Sequence, residues 1–239
     1  MDGDLSESDS VTYGINYRSA LNTLYGFHVA NGQLPQDVMH LLLEGVIPYE
    51  LKLMLRDFIV IKKYFAMEDL NNRIRSFNYS PEEAKDKPPV LKTHDLSNNG
   101  RISMAGMLES NLQIYSTIIV FHLLAVEMWI FATYLPLMIG HMIPEEDDMW
   151  QCFLLLLDIL KVSTCRIQSP GLAGYLEVLV SDHHHSFVHC YPGCSITPKL
   201  HYCVHLPSQI IRYTYCICMQ WLPGNAHTHI HHIHFVVNL

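Results

Sequence analysis

No cysteine precedes Cys152, and the seven that the chain carries are an odd number. The opening residues, MDGDLSESDS, are polar and acidic and lack the apolar centre of a secretory leader. Both features point away from a disulfide framework and towards a reducing compartment, nucleus or cytoplasm. Basic residues are scarce, 15 Lys and Arg against 23 Asp and Glu, and the net charge of -8 removes the usual electrostatic surface for nucleic acid. Acidic residues are absent beyond Asp182, where Lys199 and Arg212 are the remaining fixed positive charges and most of the sixteen histidines are crowded. There is no GxSxG nucleophile elbow, no phosphate-cradling glycine loop and no dinucleotide fingerprint. Aromatics do not interleave with a basic stripe, so the signature of a general nucleic-acid module is missing too.

What the chain does have is helical periodicity. Residues 1–12 read as a disordered acidic start, followed by a short helix around Arg18–Tyr25 and a strand near Gly26–Val29. Gly32 and Pro35 mark a turn. Pro48 suits a first helical position, with Glu50 in the first turn, and Leu51, Met54, Leu55, Phe58, Ile61, Tyr64 and Phe65 recur at three and four. Pro81, Pro88, Pro89 and Gly100 make residues 77–106 a solvated linker. The run from Leu112 to Gly140 is long and apolar but contains His122, Glu127 and Pro136, which leaves a buried helix pair, a membrane span or a segment foreign to the fold. Pro144 and the four carboxylates Glu145 to Asp148 suit a helix start, and Leu172 to Phe187 reads as a further amphipathic helix weakened at its start by Gly171 and Gly174.

Two clusters carry metal-ligand or catalytic residue types. Asp37, His40 and Glu44 form a compact carboxylate and imidazole group within LPQDVMHLLLEGVIPYELKLML, residues 34–55. In the C-terminal part His185 and His189 are one helical turn apart, as are Cys190 and Cys194, a looser spacing than a zinc knuckle. Buried thiols and interfacial histidines account for the second cluster as well as zinc does. The HTHIHHIH run near the C-terminus binds metals in the manner of a purification tag.

Read with its flanks, the Asp37-Val38-Met39-His40 element resembles the transposase-like proteins of CACTA (En/Spm-type) DNA transposons of animal genomes. Matching blocks are YGINYRSALNTL at 13–24, Phe27 to Leu55, the asparagine pair and FNYS at 71–80, and KPPVL at 87–91. Others are YLPLMIGHMIPEEDDMWQCFLLLLDIL at 134–160, HHHSFVHCYP at 183–192 and PKLHYCVHLPSQIIRY at 198–213. The resemblance implies a ribonuclease H-like transposase core in which three acidic residues hold Mg2+ or Mn2+ and act on transposon-end DNA. Asp37 would be the second of those acids and a ligand of the ancestral divalent ion, with His40 orienting the region and Glu44 hydrogen-bonding to it. The first and last acids have no evident counterpart: Asp2, Asp4, Glu7 and Asp9 lie in the polar start, and residues 214–239 contain no carboxylate.

The resulting expectation is a mainly α chain, the helical insertion region of a ribonuclease H-like transposase fold with its catalytic sheet largely missing. Its parts are a disordered start at 1–12, a remnant of the core at 13–76, the linker at 77–106, a non-native apolar insertion at 107–127, a helical insertion region at 128–213 and a divergent His-rich tail at 214–239. Such a remnant would be inactive as an enzyme and need no cofactor. It would self-associate through exposed apolar helices. The alternatives are a non-catalytic binding protein of the nucleus and a small membrane protein anchored by 112–140.

Overall fold

The computed structural model describes residues 36–97, 117–165, 169–194 and 196–212, with Tyr25 alone before them. Tyr25 apart, these belong to one compact unit, Gln36–Leu239. The elements expected at 18–29 (Tyr25 apart), residues 107–116 of the inserted segment and the tail 214–239 lie outside the described residues. The described chain is helical and contains no β-strand.

At its centre is a continuous helical rod in three parts: a π-helical turn set at Met39–Val46, α1 at Ile47–Arg56, and a second π-helical segment at Asp57–Ile61. The rod begins at Met39 rather than at Pro48, because Asp37 closes its start. Asp37 Oδ1 accepts the Met39 N–H at 2.9 Å, and the Asp37 carbonyl accepts the Leu41 N–H at 2.9 Å. Pro48 sits at the start of α1, with Glu50 in its first turn, as the sequence leads one to expect. Beside it, Lys199 Nζ donates to the His40 carbonyl at 2.7 Å and reaches the Glu44 carbonyl at 3.5 Å. Gly45 makes room for it, since a Cβ there would lie 2.4 Å from Lys199 Cδ. At its other end the rod stops at Ile61, short of the expected Tyr64 and Phe65. Lys63 takes the left-handed conformation, φ 54°, and the Tyr64 N–H turns back to the Phe58 carbonyl at 2.8 Å.

The other helices wrap this rod. They are α2 (Met67–Ser76), α3 (Thr93–Ser97), α4 (Thr117–Ile139), α5 (Asp148–Ser163), α6 (Pro170–Cys190), α7 (Pro198–Tyr202) and α8 (Leu206–Arg212). Helices α3 and α5 pack on α1, α4 and α7 pack on the first π-helical segment, and α6 lies between α5 and α8. Ile47, Leu51, Met54 and Leu55 are fully buried, and Leu42, Phe58, Phe131, Phe153 and Phe187 close the core around them. This burial of apolar surface is the main term holding the helices together.

The described part of the apolar run forms the single helix α4, Thr117–Ile139, rather than a helix pair, with Pro136 inside it. Its Met128, Phe131, Ala132, Leu135, Met138 and Ile139 are buried in the core. No helix among the described residues is long and apolar enough to cross a membrane.

Asp147 caps α5 by accepting the Met149 and Trp150 N–H groups at 3.0 and 3.1 Å, as an acidic helix start requires. Helix α6 begins earlier than the glycines suggest, because Ser169 caps it on the Leu172 N–H at 3.2 Å and Pro170 supplies a preset first turn. The expected linker is stitched down over its described part. Asn71 of α2 accepts the Leu91 N–H and donates to the Leu91 carbonyl, both at 2.9 Å, while Tyr134 of α4 donates to Glu83 at 2.8 Å. Pro88 and Pro89 hold this strand-like stretch extended, so its peptide groups take partners from neighbouring side chains. Large apolar side chains left exposed among the described residues include Ile61 at the end of the rod, Leu137 on α4, Tyr175, Val178 and Val188 on α6 and Ile211 on α8.

Candidate functional site

At the start of the rod, His40 Nδ1 lies 2.5 Å from Asp37 Oδ2, and His40 Nε2 lies 3.7 Å from Glu44 Oε2. The Asp37 and His40 side chains are about half exposed. Both Asp37 oxygens are engaged within the element, one by the imidazole and one by the helix start. The three expected site residues are thus neighbours, yet they do not form a set of three donor atoms within 4.8 Å of one another.

The expected zinc ligands behave in the same way. His185 Nδ1 lies 2.8 Å from the Ser181 carbonyl, and the ring is exposed. His189 is exposed, with Nε2 4.0 Å from Asp148 Oδ2. Cys190 is buried, with Sγ 3.8 Å from Ser186 Oγ, and Cys194 is partly buried beyond Gly193, which turns at φ 93°. His185 and His189 share the outward face of α6, whereas Cys190 is one residue further round and faces the core. These four residues form no converging donor set among the described residues.

Such a set does exist elsewhere. Glu50 of α1, Cys152 of α5 and His183 of α6 bring one ligand-type atom each within 4.8 Å of one another, and all three are buried. His183 Nε2 lies 2.7 Å from Glu50 Oε2, with side-chain exposures of 1% and 0%. Glu50 Oε1 is buried with no hydrogen-bond partner. Cys152 Sγ faces the His183 carbonyl at 4.0 Å. Burial, and then the Glu50 charge, push the Cys152 thiol well above its ordinary range. The same two causes push Cys203 up to about 12 and raise Tyr191, whose buried hydroxyl also lacks a partner.

Glu50 lies in the first turn of α1, as its place two residues after Pro48 suggests, but the π-helical segment ahead of α1 continues the rod, and its carboxylate faces His183. The signal for His183 was present: it continues the inward series Leu176, Leu179, Val180, His183, Phe187. Cys, His and an acid are also the parts of a nucleophilic triad. Here His183 Nε2 lies against the carboxylate and the sulfur is shielded from solvent, where burial favours the thiol over the thiolate.

One further polar group lines a surface cleft of about 430 Å³ bounded by Lys62, Tyr64, Asp147, Asp148, His189 and Cys190. Lys62 Nζ lies 2.6 Å from Asp147 Oδ2 and 3.0 Å from Asp57 Oδ2, and the Tyr64 hydroxyl donates to Asp147 at 3.0 Å. Burial alone would lower Lys62; its hydrogen bonds to Asp147 and Asp57 outweigh that and raise it. Burial likewise opposes ionisation of Asp147, and the hydrogen bonds from Lys62, the Trp150 N–H and Tyr64 bring it below the usual carboxylate range. This group joins the end of the rod to the start of α5.

Comparison of the chain with protein-family models, with curated proteins and with solved structures finds no match.

Proposed function

We propose that this chain is a non-catalytic, transposase-like remnant, a helical body in which the aspartate–histidine element serves as the cap and anchor of its central rod. The observation that carries this reading is the engagement of Asp37. One carboxylate oxygen takes the Met39 N–H and the other lies against His40. Two-metal phosphoryl transfer asks several carboxylates to converge on a pair of ions about 4 Å apart. Asp37, His40 and Glu44 do not converge in that manner. The ancestral chemistry, with Mg2+ or Mn2+ and transposon-end DNA, belongs to the resemblance; the capping geometry belongs to this chain.

A net charge of -8 favours a protein partner over DNA for any binding role. The decisive experiment incubates the full chain with plasmid and oligonucleotide DNA in Mg2+ or Mn2+. The expected result is no cleavage or strand transfer above background. Metal-dependent cleavage that disappears in Asp37→Ala would overturn the reading, and tight DNA binding with a steep salt dependence would replace the protein partner by DNA.

A further inference from the structure

We propose that Glu50, Cys152 and His183 are ligands of a buried structural zinc ion that ties α1, α5 and α6 together. The three side chains come from three separate helices and place one oxygen, one sulfur and one nitrogen donor within 4.8 Å of one another. Carboxylate, thiolate and imidazole together are a borderline-soft donor set that suits Zn2+ and does not suit Mg2+ or Ca2+. Around zinc, bonds of about 2.0–2.3 Å would set tetrahedral donors roughly 3.3–3.7 Å apart, so donor pairs near the 4.8 Å limit would close by up to about 1.5 Å while the 2.7 Å Glu50–His183 pair would open by about half an ångström or more.

Charge supports the same assignment. An ionised carboxylate at 0% exposure is costly, and a second anion beside it would be costlier. A zinc ion with a carboxylate, a thiolate and a neutral imidazole sums to zero charge. Binding would release the thiol proton and exchange the 2.7 Å Glu50–His183 hydrogen bond for two metal bonds. The unpartnered Glu50 Oε1 is the second observation: a buried carboxylate oxygen with no donor beside three convergent ligand types is accounted for by a cation.

This site is not the His185, His189, Cys190, Cys194 set, and it is separate from the imidazoles of the tail. The test uses the full chain stripped with a chelator and then titrated with Zn2+ or Co2+. The expected results are a rise in melting temperature with one equivalent of zinc and a thiolate-to-metal charge-transfer band with cobalt. Cys152→Ser should abolish both, and Glu50→Gln should weaken binding by about tenfold or more. Because residues 213–239 contain Cys216 and Cys218 beside histidines, the Cys216→Ser/Cys218→Ser chain is the second arm, and its band and thermal shift should persist. A band that survives Cys152→Ser, or one that is lost from the Cys216→Ser/Cys218→Ser chain, overturns the site. If Cys152→Ser does not fold, Cys190→Ser/Cys194→Ser decides the matter: band and thermal shift should persist there too, and their loss overturns the site.

Discussion

Asp37–His40 and Glu50–His183 are both carboxylate–imidazole contacts made by one helical rod, at 2.5 and 2.7 Å. They differ in what surrounds them. The first lies at the open start of the rod with both side chains about half in solvent, and the second lies in the core at 0% and 1% exposure. In water such a pair is screened and is worth about 0–1 kcal/mol. In the core, each partner is the other's replacement for water, and removing one strands the other at a cost of about 3–5 kcal/mol. Prominence in the sequence and weight in the structure therefore run in opposite directions: the motif that catches the eye is the lighter of the two pairs.

The strongest way to break this contrast is at the buried pair. His183→Ala should lower unfolding stability in urea by about 3–5 kcal/mol, because it leaves Glu50 without a partner in the interior. The double replacement Glu50→Met with His183→Phe removes both polar groups and should recover most of that loss, measured in metal-free buffer. A double variant as unstable as the single one would show that shape at this position, rather than the stranded charge, sets the cost.

Glu127 sharpens the comparison because it is a carboxylate in a partly buried site with no imidazole partner among the described residues. Its Oε2 is buried without a partner, and burial, helped by the charge of Asp86, pushes the carboxyl up from 4.5 to about 7. A folded-state value above the unfolded one means that the fold favours the neutral acid. Its contribution is whole below the unfolded value of 4.5 and is lost as the pH rises through about 7. Glu127→Gln keeps the neutral shape at every pH. It should therefore stabilise the protein by about 1–2 kcal/mol at mildly alkaline pH, after allowance for partial solvent screening, and change little in mild acid. Equal effects of Glu127→Gln at both ends of a pH series of thermal melts would contradict the assignment.

Much of the helical framework was legible because it rests on local rules. The helix start at the acidic run Glu145 to Asp148, the apolar recurrence from Leu51 to Phe58 and the helix over Leu172 to Phe187 follow from capping and periodicity. The two ends of the rod were harder to read. Pro48 does mark the start of α1, but nothing in that residue announces the π-helical segment that runs ahead of it from Met39. Lys63 gives no sign of a left-handed turn, since nothing in its side chain favours one. The buried trio was half legible: Glu50, Cys152 and His183 each fall on or beside an apolar stripe, where a polar residue asks for a partner. Which residue answers which is a matter of helix packing, and spacing along the chain cannot supply it.

The smallest effects belong to the pair that first draws attention, and they test whether it is a cap or something more. Asp37→Ala should cost about 1 kcal/mol, the ordinary value for losing a helix-start acceptor. Asp37→Asn, which keeps an oxygen for the Met39 N–H, should cost less. His40→Ala should fall within about 0.5 kcal/mol of the parent, because an exposed imidazole gives up a screened contact and little buried surface. These are urea or thermal unfolding measurements on the full chain, and their order matters more than their size. If Asp37→Asn and His40→Ala each cost as much as His183→Ala, then Asp37 and His40 hold the fold as firmly as the core pair. The claim that burial, not motif, sets the weight of a carboxylate–imidazole contact in this rod would then be wrong.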